Sequence, residues 1–368
     1  MKIAVFHELH AGGARRCVNE FSYLLKKKHQ IDLYIVDEKR NKAEERFFTR
    51  VFFYRFIPKQ WKGRDWKTRI YKDSIELYKL YRLHKQIAKE INEKQYDIVF
   101  VNPSRFTQAP FLLQFLHSPS FYYCMEPLRI AYDSLVGIKK NLDRFRYWYE
   151  KINRGVRKVI DKKNLDRAQY YLTPSKYRAR LFSSIYHKQS HVVYCGVDTE
   201  RFKPANSKKD IDILYIGSHD IIDGYDTFLQ AMDLVKNKPT VRTILVDEEW
   251  IADDRVLHDI YQRSKVFVCT ARKEGLGLAT LEAMSCGAAV VAVDEAGHKE
   301  TVIDKKTGYL VPRNSQKIAE KINWLLTHPK ELSDFSKKSR ESAVSDWSWR
   351  KRTQQLEKLL LEQAHLTP

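Results

Sequence analysis

The sequence predicts an α/β protein made of two successive doubly wound units, each built on a parallel sheet. Three observations carry this. Short runs of β-branched and aromatic residues alternate with stretches of helical periodicity along the chain. The alternation pauses at a glycine- and proline-marked linker, Gly196-Val197-Asp198 to Lys203-Pro204, and then restarts. A length of 368 residues with 43% hydrophobic content suits two cored domains.

In order, residues 2–6 read as a buried strand and Ala11-Gly12-Gly13-Ala14 as a tight turn. A helix over 15–27 and a strand over 31–36 complete a βαβ opening. The glycines do not form GxGxxG, so a dinucleotide site has little support. Residues 75–91 place Leu77, Leu80, Tyr81, Ile87, Ala88 and Ile91 on one helical face. Strands follow at 98–101 and 121–125, a charged helix at 142–165, and strands at 170–173 and 192–194 around a helix at 175–183. Beyond the linker, strands are expected at 211–216, 243–246, 266–269 and 288–293. Helices are expected at 225–235, 257–264, 278–286 and 318–326. Folds of this kind bind ligands beyond the carboxyl ends of their strands, so with two units the expected site is the cleft between them.

Composition narrows the classes. The opening MKIAVFHELH is too short for a signal-peptide core, and no stretch approaches a membrane span of roughly 18 apolar residues. The five cysteines, Cys17, Cys124, Cys195, Cys269 and Cys286, show no metal or redox spacing, which fits a reducing cytoplasm. The formal charge is +20 and uneven. Residues 1–200 hold 40 Lys+Arg and 21 Asp+Glu, a net of +19, while the remainder nets +1. An anionic partner is expected for the first half: membrane, nucleic acid or phosphorylated substrate.

The chemistry concentrates in EGLGLATLEAMSCGAAVVAVDEAG, beginning at Glu274. Glu274 and Glu282 are eight residues apart, the first in a glycine loop and the second in the helix that follows. Gly275 and Gly277 allow close backbone approach to a ligand. The amides near Gly277, Leu278 and Ala279, at the positive end of the helix dipole, suit a diphosphate. The two carboxylates suit two separate sets of hydroxyls. A nucleoside diphosphate sugar has that shape. Taken singly, each glutamate reads first as a solvated acid beside a capped turn.

This segment resembles the signature of the family-4 retaining glycosyltransferases, two glutamates separated by seven residues with an EAM-x-x-G continuation. Gly12-Gly13-Ala14-Arg15-Arg16 is similar to that family's opening glycine loop, which usually has an acid where Arg15 stands. Tyr122 to Arg129, Thr173-Pro174-Ser175-Lys176-Tyr177, Cys195-Gly196-Val197-Asp198, Gly308-Tyr309-Leu310-Val311 and Trp347–Trp349 resemble further segments. The resemblance implies the GT-B fold, two Rossmann-like doubly wound domains facing a central cleft. It implies an acceptor-side domain at 1–197, a nucleotide-sugar domain at 198–345, and a last helix at 346–368 crossing back to the first. It implies that Glu274 contacts the donor sugar, Glu282 the ribose, and the amides at Gly277, Leu278 and Ala279 the diphosphate. Gly12 and Gly13 give close approach at the cleft. The family retains anomeric configuration and needs neither cofactor nor bound metal, so Asp210-Ile211-Asp212 reads as a strand edge.

The chain departs from the pattern in one place. The family has an arginine after the strand glycine and a lysine before the next glycine, whereas Gly217 is followed by Ser218 and Gly224 preceded by Asp223. A departing diphosphate needs fixed positive partners. Either Arg272, Lys273 or His219 replaces them, or turnover has been lost and the chain is a binding subunit of another transferase. Met125 stands where some relatives carry a histidine, so no base is available there. His7 and His10 near the glycine loop are alternative bases or structural residues. Glu126 and Arg129 either face the acceptor or form a cap or ion pair.

Residues 46–82 interleave aromatics with Lys and Arg. Phe52, Phe53, Trp61, Lys62, Arg64 and Trp66 are the expected contacts with an anionic membrane surface. The same pattern suits a buried aromatic cluster with a solvated basic face. No nucleic-acid fold signature accompanies it. The expectation is therefore a cytoplasmic hexosyltransferase, peripheral at the inner membrane face, acting on a lipid-linked glycan of polysaccharide or glycolipid synthesis.

Overall fold

The computed structural model describes residues 1–59, 65–138, 142–205, 208–249, 251 and 253–364. The chain divides into two compact units. One holds Met1–Pro174, Arg178–Val193 and Thr353–Pro368, the other Ser175–Tyr177 and Tyr194–Arg352.

The first unit is built on seven strands: β1 (Lys2–Glu8), β2 (Gln30–Asp37), β3 (Arg50–Arg55), β4 (Ile98–Ser104), β5 (Ser120–Tyr123), β6 (Tyr170–Thr173) and β7 (His191–Val192). Their order is β3-β2-β1-β4-β5-β6-β7 and every pairing is parallel. Central strands buried on both faces read as unbroken apolar runs, which is why β1, β2 and β4 were legible in the sequence. The core gathers Phe6, Tyr34, Val99, Tyr122 and Phe182. Polar groups enter it in pairs. Tyr34 and Tyr96 share a hydroxyl bond of 3.0 Å, Tyr96 donates to Asp32 at 2.8 Å, and Arg50 closes the chain onto Asp32 at 2.5 Å. The helix Trp349–Ala364 buries Leu356 and Leu360, and its Glu357 meets Lys28 at 2.9 Å and His29 at 2.8 Å.

Strand β3 runs through the stretch 46–82. Phe52 lies in it, stacks on Tyr34 at 4.6 Å and packs against the core. It is a residue of the edge strand, partly buried against the core. Phe53, on the opposite face of the strand, is half-buried. Trp66 is half-buried against Tyr149 at 5.4 Å, with the Arg146 guanidinium 5.2 Å from its ring. Trp61, Lys62 and Arg64 lie outside the described residues.

The second unit has β8 (Ile211–Gly217), β9 (Val241–Leu245), β10 (Ser264–Cys269), β11 (Ala289–Val293) and β12 (Gly308–Val311). The order is β12-β11-β10-β8-β9, again all parallel. Ile213, Tyr215, Val266, Val268, Val291 and Phe335 belong to its core. The chain leaves β8 for β9 on one side and returns to β10 on the other. The carboxyl ends of β8 and β10 are therefore the topological switch point of this sheet.

Candidate functional site

Two loops leave that switch point, 218–224 after β8 and 270–277 after β10. They are laced together. The Arg272 amide donates to Ile222 O at 2.5 Å, and the Thr270 hydroxyl donates to Gly224 O at 2.8 Å. Gly224 has φ +69°, and a Cβ there would lie 2.1 Å from Thr270 O. No other residue fits both demands.

Glu274 sits at the tip of the second loop, half-buried. Its carboxylate accepts from the Gly275 amide at 2.8 Å, and its carbonyl accepts from the Gly297 amide at 3.0 Å. A Cβ on Gly297 would stand 2.5 Å from Gly275 O and 2.9 Å from Glu274 O, so only glycine lets this segment support the loop. Gly277, at φ +90°, begins the helix Leu278–Ser285 without a side-chain cap. The first helical bond is Leu281 N to Gly277 O, 3.1 Å. That leaves the amides of Leu278, Ala279 and Thr280 outside the intrahelical pattern and pointing out of its amino end. Thr280 Oγ1 is buried with no hydrogen-bond partner among the described residues. Glu282, two residues on, is buried and accepts from the Tyr261 hydroxyl at 2.9 Å.

Two braces were missed in the sequence. Arg313, just past β12, donates to Thr270 O at 2.6 Å and Ala271 O at 3.1 Å, and pairs with Glu295 at 2.7 Å. His298 is fully buried, with Nε2 3.3 Å from Ala271 O and 3.7 Å from Cys269 Sγ. An arginine after a strand and a histidine in a short helix carry no periodic signal. Only the fold aims them at the loop.

The charges around the first loop bear on two of the three candidate replacement cations. Ser218 Oγ donates to Asp223, whose carboxyl is pushed up by burial and also by the charge of Glu274. Arg272 pairs with Asp226 at 2.9 Å and donates to Ile221 O at 2.9 Å. His219 lies 2.9 Å from Asp247 and 3.5 Å from Glu248. Arg272 and His219 are thus already matched by acids. Lys273 is half-buried at φ +62°.

In the first unit, Gly12 has φ +149° and Gly13 opens the helix Gly13–Leu25 after β1. Arg15, where the family expects an acid, forks onto Glu44 at 2.8 and 2.5 Å and reaches Asp37 at 2.8 Å. His7 is fully buried, and burial pushes its pKa down to about 4, so it is a neutral core histidine. His10 is exposed. His84 Nε2 meets Glu8 Oε1 at 3.0 Å in a buried pair at the end of β1. Glu126 and Arg129 form an ion pair of 2.7 Å after β5. All five cysteines are buried, and none is joined in a disulfide among the described residues. Among the described residues, no group of three His, Cys, Asp or Glu side chains is placed to hold a metal ion. No described helix is long and apolar enough to cross a membrane.

Comparison with known proteins follows the same division. Residues 11–201 match the family model Glycosyltransferase Family 4, and residues 250–342 match Glycosyl transferases group 1. A GDP-mannose-dependent phosphatidylinositol monomannoside mannosyltransferase of Mycolicibacterium smegmatis is 39% identical over 88 residues, 24% of this chain and 23% of that one. Of the first curated relatives it matches, the chain spans 66%, 26% and 42% of their lengths. Among solved structures, sucrose-phosphate synthase from Thermosynechococcus elongatus superposes with a TM-score of 0.73 at 17% identity, covering 100% of both chains. HepE of Anabaena, solved with UDP and glucose, gives 0.68 at 16% identity over 98% and 99%. The fold is therefore GT-B. With more than half of its residues matched by one family model, the chain belongs to glycosyltransferase family 4.

Proposed function

We propose that the chain is a retaining glycosyltransferase that moves a hexose from a nucleoside diphosphate sugar to a lipid-linked glycan at an anionic membrane face in the cytoplasm. The observation that carries this is the Glu274 loop, braced at the switch point directly ahead of an uncapped helix end. The amides of Leu278 and Ala279 would hold the diphosphate, with Gly275, Gly277 and Gly217 allowing its approach. Glu274 would take the hydroxyls of the sugar and Glu282 those of the ribose. In the reaction, the bond from the anomeric carbon to the diphosphate oxygen breaks. The acceptor oxygen bonds to the same face, and its proton passes to the leaving phosphate. Fixed amide dipoles stabilise the charge that grows on that phosphate. A mannosyltransferase named for GDP-mannose and a phosphatidylinositol glycolipid among the relatives, and a shared fold with a protein solved with UDP, support the donor and acceptor classes.

One observation favours a second reading. The acid at Asp223, with Arg272 and His219 matched by acids, reduces the positive charge at hand for a leaving diphosphate. A chain that binds the nucleotide sugar without transferring it would look the same.

Thermal unfolding against UDP, GDP, ADP and their sugar conjugates separates the two. A nucleotide at 100 times its dissociation constant stabilises by about 2.7 kcal/mol. We expect that shift with one base, lost in Glu282→Gln, and glycosyl transfer that disappears in Glu274→Ala. A shift without transfer from the native chain leaves the second reading. No shift with any nucleotide overturns both.

A further inference from the structure

The helix Arg144–Leu165 is amphipathic the wrong way round for a soluble protein. Its inward face is polar. Asn153 and Asn164 are buried and donate to Asp73 at 3.0 Å and Ala109 O at 2.7 Å. Arg157 pairs with Asp73, and Arg154 donates to Ile130 O at 3.2 Å and Val136 O at 2.6 Å. Leu165 enters the core at its end, but five apolar residues point out. Phe145 is 70% exposed, Trp148 49%, Ile152 63%, Val156 48% and Val159 66%. Their spacing of three or four residues puts them on one narrow stripe, about 20 Å long at 1.5 Å per residue. Ordinary folding drives such a stripe inward, so its exposure on a firmly held helix points to an unmet partner.

The charges identify the partner. The helix carries eight Lys or Arg against two acids. Arg154 and Arg157 are spent on the inner face, whereas Arg144, Lys151, Lys158 and Lys162 are exposed and fall together on one flank of the stripe. Lys151 Nζ lies 4.7 Å from the Trp148 ring. An apolar stripe with aromatics at one end and a row of long cations beside it is the pattern that lies in the plane of an anionic bilayer. A second copy of the chain docking here would bring two rows of like charge together. The aliphatic residues Ile152, Val156 and Val159 offer no stacking platform to nucleic acid.

We infer that this helix, rather than the 46–82 surface, seats the chain on anionic lipid. Its stripe enters the interface and its flanking cations meet headgroup phosphates. The inference rests on the membrane part of the proposed function and locates it.

The test is flotation of the full-length chain with vesicles of phosphatidylcholine alone or with about 30% phosphatidylserine. The native chain should rise with the anionic vesicles. Phe145→Ser, Trp148→Ser and Ile152→Ser combined should lower the bound fraction at least about tenfold. Lys151→Gln, Lys158→Gln and Lys162→Gln combined should erase the preference for phosphatidylserine. Both variants should keep the native unfolding midpoint, and Phe53→Ser should bind as the native chain does. Native-like flotation of both helix variants overturns the assignment and leaves membrane binding to another surface. Failure of the native chain to float overturns this inference and the membrane reading together, while transfer to a water-soluble acceptor still reports the transferase reading. Light scattering that shows a dimer, dissociated by the serine variant with no change in flotation, makes the stripe a self-association face and also overturns the inference.

Discussion

Asp223 is where this chain parts from its family, and its surroundings say what the exchange costs. Burial raises its carboxyl pKa, the Ser218 hydroxyl partly offsets that, and Glu274 adds repulsion. A diphosphate arriving nearby would add more negative charge of the same sign. Two like charges near a surface repel by about 1 kcal/mol or more at several ångströms. Asp223→Asn should therefore bind nucleoside diphosphate about five- to tenfold more tightly at a pH near 8. The sign of the pH effect follows. As pH falls through the raised pKa, native Asp223 takes up a proton and its repulsion fades. The native chain should gain affinity on acidification while the variant does so less, and the two should converge. Calorimetric titration at pH 8 and over a descending pH series reads this, and equal affinities at the highest pH would remove Asp223 from the donor site. Glu274, Glu282 and this departure were all legible as residues, because spacing and glycines carry them. Arg313 and His298 were not, since each acts on a loop brought close only by the sheet order.

At the scale of elements, the 270–277 loop is held by backbone contacts that tolerate no added atom. Gly297→Ala would press a methyl group onto Gly275 O and Glu274 O, and main-chain atoms cannot rotate away. It should cost about 1–3 kcal/mol of stability. It should also reduce transfer more than tenfold, because Glu274 would move. Gly155→Ala is the matched control. A Cβ there meets nothing within 4 Å, and the site lies within a helix. That change should stabilise by about 0.5–1 kcal/mol and leave transfer unchanged. Chemical unfolding alongside a transfer assay decides it, and a Gly297→Ala enzyme with native turnover would show that the loop needs no such support. The same elements explain what the sequence concealed. β10, the following helix and β11 match their expected positions to within two residues, because buried parallel strands are plain apolar runs. β3 is a half-buried edge strand with arginine at both ends, and its RVFFYR reads as a surface patch. The 144–165 helix was found as a helix, but periodicity alone does not tell which face looks outward.

Over the whole molecule, the excess charge of +20 sits almost entirely in residues 1–200, and the first unit answers it with buried acids. For Asp32, Asp37 and Glu44, burial alone would raise the pKa, but Arg50 and Arg15 outweigh it and hold all three below the carboxylate range. Their stability is present above the unfolded pKa and is lost as pH falls through the folded values. Asp161 works in the opposite direction. Burial pushes its carboxyl from 3.8 up to about 6, against hydrogen bonds from the Tyr186 hydroxyl at 2.8 Å and the Ala109 amide at 3.1 Å. A raised folded pKa gives stability that is complete below the unfolded value and is lost as pH rises through about 6. At neutral pH, ionised Asp161 thus costs up to about 3 kcal/mol, at about 1.4 kcal/mol per pH unit. Asp161→Asn keeps an acceptor for the Ala109 amide and offers a donor to the Tyr186 oxygen, without the charge. It should stabilise the first unit by up to about 3 kcal/mol near pH 7.5. Near pH 4, where the native carboxyl is already protonated in the fold, the gain should vanish. Denaturant unfolding at the two pH values measures the difference. A gain of equal size at both would mean that shape, and not the buried charge, sets the stability at this position.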